Sequence, residues 1–376
     1  MPVLTSDGQV PAGLRDAISA AADEAERRGR MPESLVRELS ARGVFDLLTP
    51  REYGGLEVAS AEALTVYEQL ARIDASTAWN VWNANFGFVG AMLEESGAAR
   101  VWPETDARPV FANAGMPGPA VRADGGFRLS GRWRMVSGID TADWFVPIGV
   151  LTDGPAPEPR LFLLRREQVE IERTWQVSGM RATGSHTVVA DDVFVPAELT
   201  TGIAGPMRFD RPLYRRNPIL LVFAGCTAVG LGVAQQAVDE IVALAPGKTT
   251  AFGTVLAEQS RVQELVARHE TAVRAARLLL VDTTRRIDLA AERGEEIGLT
   301  LHADLHTAMA HAAATARAAL VAMYELGSSS SVYLGGRLER LHRDGMVALQ
   351  HVNHAPQFFE GAGRVRFGMD PGLPLF

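Results

Sequence analysis

The strongest constraint in this chain of 376 residues is that its hydrophobic period changes twice. Up to about residue 105 the apolar residues recur at helical intervals. From Val110 to about Pro196 they alternate with period two, and from about Pro218 onward the helical interval returns. Period 3.6 places one stripe of a helix against a core, and period two places one face of a sheet against it. A helix-period segment does not settle as a strand, so the expected order is helices, a small sheet, then helices. The fold class is α+β, mostly α, with an N-terminal helical domain at 1–105, a β-domain at 106–205 and a C-terminal four-helix bundle at 206–376.

Within the first part, Ala12–Arg28, Pro32–Leu39, Ser60–Arg72 and Ala78–Leu93 read as helices, the last nearly all apolar apart from Asn80, Asn83 and Asn85. The middle part holds six to eight strands, with a hairpin at Ala123-Asp124-Gly125-Gly126. In the last part, Ile219–Ala245, Leu256–Ala291, Leu299–Leu326 and Leu338–Leu349 are Ala/Leu-rich and broken by Pro246-Gly247, Gly294 and Gly327–Ser331, as in an antiparallel bundle.

Composition excludes several classes. The net charge is −8, with basic residues spread along the chain, which argues against nucleic acid. One cysteine, Cys226, forms no internal disulfide or cysteine metal cluster and suits a reducing cytosol. The N-terminus has no basic and apolar export signal. The most apolar stretch, Ile219–Gly232, is interrupted by Gly225, Thr227 and Gly230 and reads as a buried helix, with no membrane partner expected. No phosphate-binding glycine loop or nucleophile elbow is present. His302 and His306 share a helix face without a third ligand, so no metal is expected.

Four segments carry the chemistry. RLERLHRDGMVALQH (337–351) sets Arg343-Asp344 ahead of His351, a residue able to move protons or hold a developing oxyanion. GRWRMVSGIDTADWF (131–145) offers an aromatic surface at Trp133 and a hydroxyl and backbone N–H at Ser137, between Val136, whose side chain cannot hydrogen-bond, and Gly138. TWQVSGMRATGSHTVVADDVFVP (174–196) turns through Thr183, Gly184 and Ser185 into a strand. AFGTVLAEQSRVQELVARHE (251–270) contains Phe252, Gly253, Gln259 and Gln263.

Together these segments resemble the acyl-CoA dehydrogenase superfamily over essentially the whole chain. In that fold a flavin lies between β-domain and bundle of a tetramer. The Arg-Asp pair of the dehydrogenases precedes a Glu that takes the substrate's α-proton. Here the Glu is missing and His351 stands within one residue of its place. Arg-Asp followed by His resembles the two-component flavin-dependent monooxygenases (group D) of the same fold, as does the Trp…Gly-Met-Arg-x-Thr-Gly-Ser string.

The resemblance implies the oxygenase component of a homotetrameric monooxygenase. It would take reduced flavin (FMN or FAD) from a separate reductase, use O2, and act on a small apolar, aromatic or amine-bearing molecule. His351 would be catalytic, with Asn85 standing where relatives carry a second histidine. Trp133, Val136, Ser137, Gly138, Thr183, Ser185, Phe252, Gln263 and Arg343 would contact the cofactor. Thr249 occupies the position of an Arg that grips the FAD pyrophosphate, which suits loosely held flavin. The rival readings are an acyl-CoA dehydrogenase with tightly bound FAD and a non-catalytic flavin-binding protein. Glu360 lies too far past Arg343 to be the missing base and reads as a helix residue.

Overall fold

The chain's computed structural model describes residues 3–103, 108–203, 205–215, 219–251, 253–373 and 376. By compactness it divides into two units rather than at 105/106 and 205/206. One contains Met1–Ala59, Trp79–Val177 and Arg181–Ile219, the other Ser60–Ala78, Ser178–Met180 and Leu220–Phe376. The expected three parts survive as a division by secondary-structure type.

In the first unit, α1 (Ala12–Arg28) and α2 (Glu33–Ala41) precede a sheet of eight strands. Pro32 caps α2 from outside, where its fixed φ suits an entering chain. The strands are β1 (Phe111–Ala123), β2 (Gly126–Val136), β3 (Trp144–Leu151), β4 (Glu158–Phe162), β5 (Leu164–Arg165), β6 (Glu170–Glu172), β7 (His186–Pro196) and β8 (Thr200–Gly202). Their order is β6-β7-β2-β1-β3-β4-β8, with β5 on β3. The β1–β2 hairpin closes at Ala123↔Gly126, as its Asp-Gly turn predicts. Only the β1–β3 pairing is parallel among the described strands.

One segment departs from expectation. The helix read over Ala78–Leu93 is split between an α-helix at Ala75–Ala84 and a 3-10 turn at Gly87–Ala91. The Asn85 amide bonds Val44 O and Leu47 N across the core. Gly87 lies so close to Thr49 that a Cβ there would fall 1.9 Å from its hydroxyl. Those contacts hold the chain off the helical path.

Numbering continues with α3 (Ser60–Ala71), α4 (Ala75–Ala84) and α5 (Glu95–Val101). In the second unit, α6 (Ile219–Leu244), α7 (Ser260–Glu292), α8 (Leu299–Gly327) and α9 (Arg337–Ala348) are the four expected bundle helices, followed by α10 (Gln357–Arg366). Val222–Gly247 is long and apolar enough to cross a membrane, but 67% of its most apolar window is buried, as in a core helix. Glu360 lies exposed on α10.

Candidate active site

In the first unit, residues from three segments meet in a buried hydroxyl chain. Trp79 Nε1 on α4 donates to Ser137 Oγ (3.0 Å), Ser137 Oγ lies 2.8 Å from Ser185 Oγ, and Ser185 Oγ lies 2.7 Å from Thr183 Oγ1. An indole N–H can only donate, so Ser137 is an acceptor in that bond and its own proton is directed elsewhere. Gly138 N donates to Thr183 O, which locks the turn after β2 onto the Thr183–Ser185 turn. Gly138 sits at φ +75°, a conformation open to glycine. Beside it, Asn80 Nδ2 donates to Ala182 O, while Asn80 Oδ1 is buried (the residue is 3% exposed) without a donor.

The sequence missed Met135. A bulge sets two residues of β2, Arg134 and Met135, against one of β7, Thr187, between Trp133 and Val136. Met135 takes φ +59° and is 69% exposed, whereas Trp133 is 1% exposed. Trp133 therefore offers no face to a flavin. Its ring packs edge-on against Phe145 (5.4 Å), and a Cβ at Gly118 would fall 2.6 Å from it. Val136 is likewise fully buried. The exposed apolar side chain of this segment is Met135.

In the second unit, His351 and His354 lie beyond the end of α9 and converge on α6. His351 opens a 3-10 turn, and its Nδ1 accepts from Asn353 N (3.3 Å) and lies 3.7 Å from Cys226 Sγ. His354 Nε2 lies 3.1 Å from Thr227 Oγ1 and 3.5 Å from Cys226 Sγ. Burial lowers the His351 imidazole to about 4 and that of His354 to about 3, and it raises the Cys226 thiol to about 12. All three are neutral at neutral pH. With Nδ1 accepting, the His351 proton resides on Nε2, so this ring is a neutral N–H donor rather than an acid.

Other expected contacts are committed elsewhere. Arg343 donates to Glu339 (2.7 Å) and to Ser178 O (2.9 Å). Asp344 Oδ1 accepts from Met180 N (2.6 Å), and burial raises this carboxyl to about 7. The Arg-Asp pair thus clamps Ser178–Met180 to α9 and offers no free cation to a cofactor. Gln263 is exposed and donates to Ala257 O. Lys248, beside Thr249, spends its ammonium on Gly327 O and Ser330. Phe252 lies outside the described residues.

Asn85, the candidate second catalytic group, is fully buried and donates to Val44 O and Val81 O while accepting from Leu47 N. Both donor protons and the carbonyl are engaged by backbone, so it acts as a core amide. Among the described residues no three His, Cys, Asp or Glu side chains gather closely enough to hold a metal.

The Met135–Gly138 segment fits a flat, mostly apolar ring with polar edges. It presents an exposed thioether chain at Met135 and the Ser137 hydroxyl, and beside Gly138 lies Asn80 Oδ1, a buried acceptor without a donor.

Residues 9–101 match the acyl-CoA dehydrogenase N-terminal domain, and residues 224–356 match the acyl-CoA dehydrogenase C-terminal domain. Over 367 residues the chain is 30% identical to the indole-3-acetate monooxygenase of Pseudomonas putida, covering 96% of this chain and 92% of that protein. It is 32% identical over 304 residues to the oxygenase component of the FADH2-dependent resorcinol hydroxylase of Rhizobium sp., covering 76% and 74%. The structure of XiaF from Streptomyces sp., in complex with FADH2 and glycerol, superposes with a TM-score of 0.89 at 27% identity over 96% of this chain and 95% of that one. The chain belongs to the acyl-CoA dehydrogenase superfamily and, within it, is a flavin-dependent monooxygenase, an oxygenase component that works with reduced flavin and O2.

Proposed function

We propose that the substrate is a small aromatic or otherwise largely apolar molecule whose reacting heteroatom is held by the neutral His351 N–H. The observation that carries this reading is the state of that imidazole. Its Nδ1 is used as an acceptor and burial keeps the ring uncharged, so it positions an oxygen or nitrogen atom without delivering a proton of its own. The aromatic substrates named for the indole-3-acetate and resorcinol relatives support the same class.

Bound reduced flavin supplies the two electrons that activate O2, one oxygen atom going to substrate and the other leaving as water. The chain's own part is to hold and exclude. Met135 offers apolar surface to the ring, and Ser137, held by Trp79 and Ser185, supplies a polar group at its edge. The Arg343–Asp344 clamp keeps Ser178–Met180 in place beside α9. The lack of a described cation at the Thr249 position supports flavin that arrives reduced from a separate reductase and leaves again.

Two further elements belong to this reading. Val332, Tyr333 and Leu334 after α8, with Leu278, Leu279 and Leu289 on α7, are large exposed apolar side chains, and they support a homotetramer. The low cysteine count supports work in the cytoplasm.

The test is to supply reduced FMN or FAD from a reductase in the presence of phenols, indoles and aromatic amines, and to measure product against hydrogen peroxide. Product with one of these classes, falling in His351→Ala while peroxide rises, is the expected result. Equal coupling in both proteins would remove His351 from the reaction. Purification with stoichiometric, tightly held FAD would count against borrowed flavin.

A further inference from the structure

A cavity of about 490 Å³ in the first unit is lined by Arg28, Arg30, Asp140, Arg173 and His186, and nothing in the reaction above uses it. Its charges come from separate parts of the chain. Arg28 ends α1 and Arg30 follows two residues on, Arg173 follows β6, Asp140 lies in the turn after β2, and His186 opens β7. The pair that holds Arg28 to Glu24 (3.2 Å) is exposed and worth little. Arg30 is exposed and has no acidic partner among the described residues. Arg173 pairs with Asp140 Oδ1.

The floor of the cavity is the buried Asp140 carboxylate. Its Oδ2 has no hydrogen-bond donor, the nearest group being His186 Nε2 at 3.5 Å. His186 Nδ1 accepts from Trp175 N (3.2 Å), so the ring's proton is on Nε2, and burial keeps the ring neutral. The lining therefore carries three positive charges and one negative, with one carboxylate oxygen that calls for an O–H or N–H.

We propose that this cavity binds a phosphate ester, its phosphate on the arginines and a neighbouring hydroxyl on Asp140 Oδ2. A phosphate monoester is close to a dianion at neutral pH and balances the lining, where a monocarboxylate would leave one positive charge over. The guanidinium fork matches two phosphate oxygens at once. A bare anion would be repelled by Asp140, whereas a hydroxyl beside the phosphate satisfies it. The phosphate could belong to the flavin's own tail or to a second phosphorylated molecule, and the experiment separates the two.

Binding is measured on flavin-free protein, so its outcome does not depend on the monooxygenase reading. Ribose 5-phosphate, ribose and inorganic phosphate are titrated calorimetrically. Ribose 5-phosphate should bind and ribose should not. Arg30→Ala and Arg173→Ala should each weaken ribose 5-phosphate by about tenfold or more, the usual worth of a charge-assisted hydrogen bond. Arg37→Ala, exposed on α2 and outside the cavity, should leave it unchanged. Because Arg173 neutralises a buried carboxylate and its loss could disturb folding, Arg30→Ala carries the decision. Absence of binding, an unchanged affinity in Arg30→Ala, or an equal loss in Arg37→Ala would overturn the proposal. With the site supported, reduced FMN is compared with reduced riboflavin. If Arg30→Ala abolishes the preference for FMN, the phosphate is the flavin's. If the preference stays, the site serves a second molecule.

Discussion

Replacing the two histidines beyond α9 should separate stability from chemistry. His354 is buried, and its Nε2 reaches Thr227 Oγ1 at 3.1 Å and Cys226 Sγ at 3.5 Å. In His354→Ala the buried Thr227 hydroxyl loses its partner at about 1–3 kcal/mol. The missing ring adds a cavity cost, for which about 3–5 kcal/mol on removing a whole aromatic side chain is the ceiling. A loss of about 3 kcal/mol is expected. The His351 ring is enclosed but the residue keeps some accessible surface, and its bond from Asn353 N is long at 3.3 Å, so His351→Ala should cost about 0.5–1 kcal/mol.

The catalytic ranking should be the reverse. Oxygen transfer should fall roughly 10²–10⁴-fold in His351→Ala, with reduced flavin still oxidised and hydrogen peroxide released in place of product. Because the His351 imidazole is depressed to about 4, it stays neutral above the ordinary histidine range and gains a proton only as pH falls through about 4. Coupling should therefore be flat from about pH 6 to about pH 8, and His351→Asn, which keeps a neutral N–H donor, should recover part of it. The measurements are urea unfolding and the ratio of product to peroxide. A step in coupling near pH 6.5 that disappears in His351→Asn would refute the neutral-donor argument. Equal stability losses in the two alanine variants would refute the packing argument.

Four further outcomes are expected. Burial raises the Asp344 carboxyl to about 7, so its contribution favours the folded state while protonated and is lost as pH rises through about 7; the unfolding midpoint should fall between about pH 4 and about pH 7, and less so in Asp344→Asn, which can still accept from Met180 N. Asn85→Ala should cost about 3 kcal/mol, since three backbone groups lose a buried partner, with activity per folded molecule unchanged; an activity loss without destabilisation would restore Asn85 to the chemistry. Ser185→Ala breaks the hydroxyl chain at its middle and should weaken reduced-flavin binding several-fold at a stability cost of about 1–3 kcal/mol, read by equilibrium titration and thermal unfolding. Burial lowers the His306 imidazole, stacked on Phe358 at 4.4 Å, to about 4; its contribution is present above the ordinary histidine range and lost as pH falls through about 4, so His306→Leu should unfold at lower pH than the parent.

The sequence by itself determined what depends on neighbours along the chain. The periods of Ala12–Arg28 and of the four bundle segments marked helices that form within a few residues of the expected ends. Asp124-Gly125 marked the hairpin because the turn's backbone needs such residues. The Arg343-Asp344-to-His351 spacing and the Gly-Met-Arg-x-Thr-Gly-Ser string carried the family, and the Thr183 and Ser185 hydroxyls of that string do meet Ser137 of the 131–145 segment.

Tertiary structure decided what depends on distant backbone. Trp133 and Met135 are two residues apart, and period two alone puts them on one face. The extra residue that β2 sets against β7 turns Met135 out and leaves Trp133 in the core. Asn85 became a core amide because Val44 and Leu47, about forty positions earlier, present bare backbone groups there. His351 and His354 would point apart on a continuous helix; α9 ends at Ala348, and both rings turn to Cys226, 125 and 128 positions away in the chain. Arg30, Asp140, Arg173 and His186 have no periodicity that joins them, because a cavity is made by where segments end and not by how each one repeats.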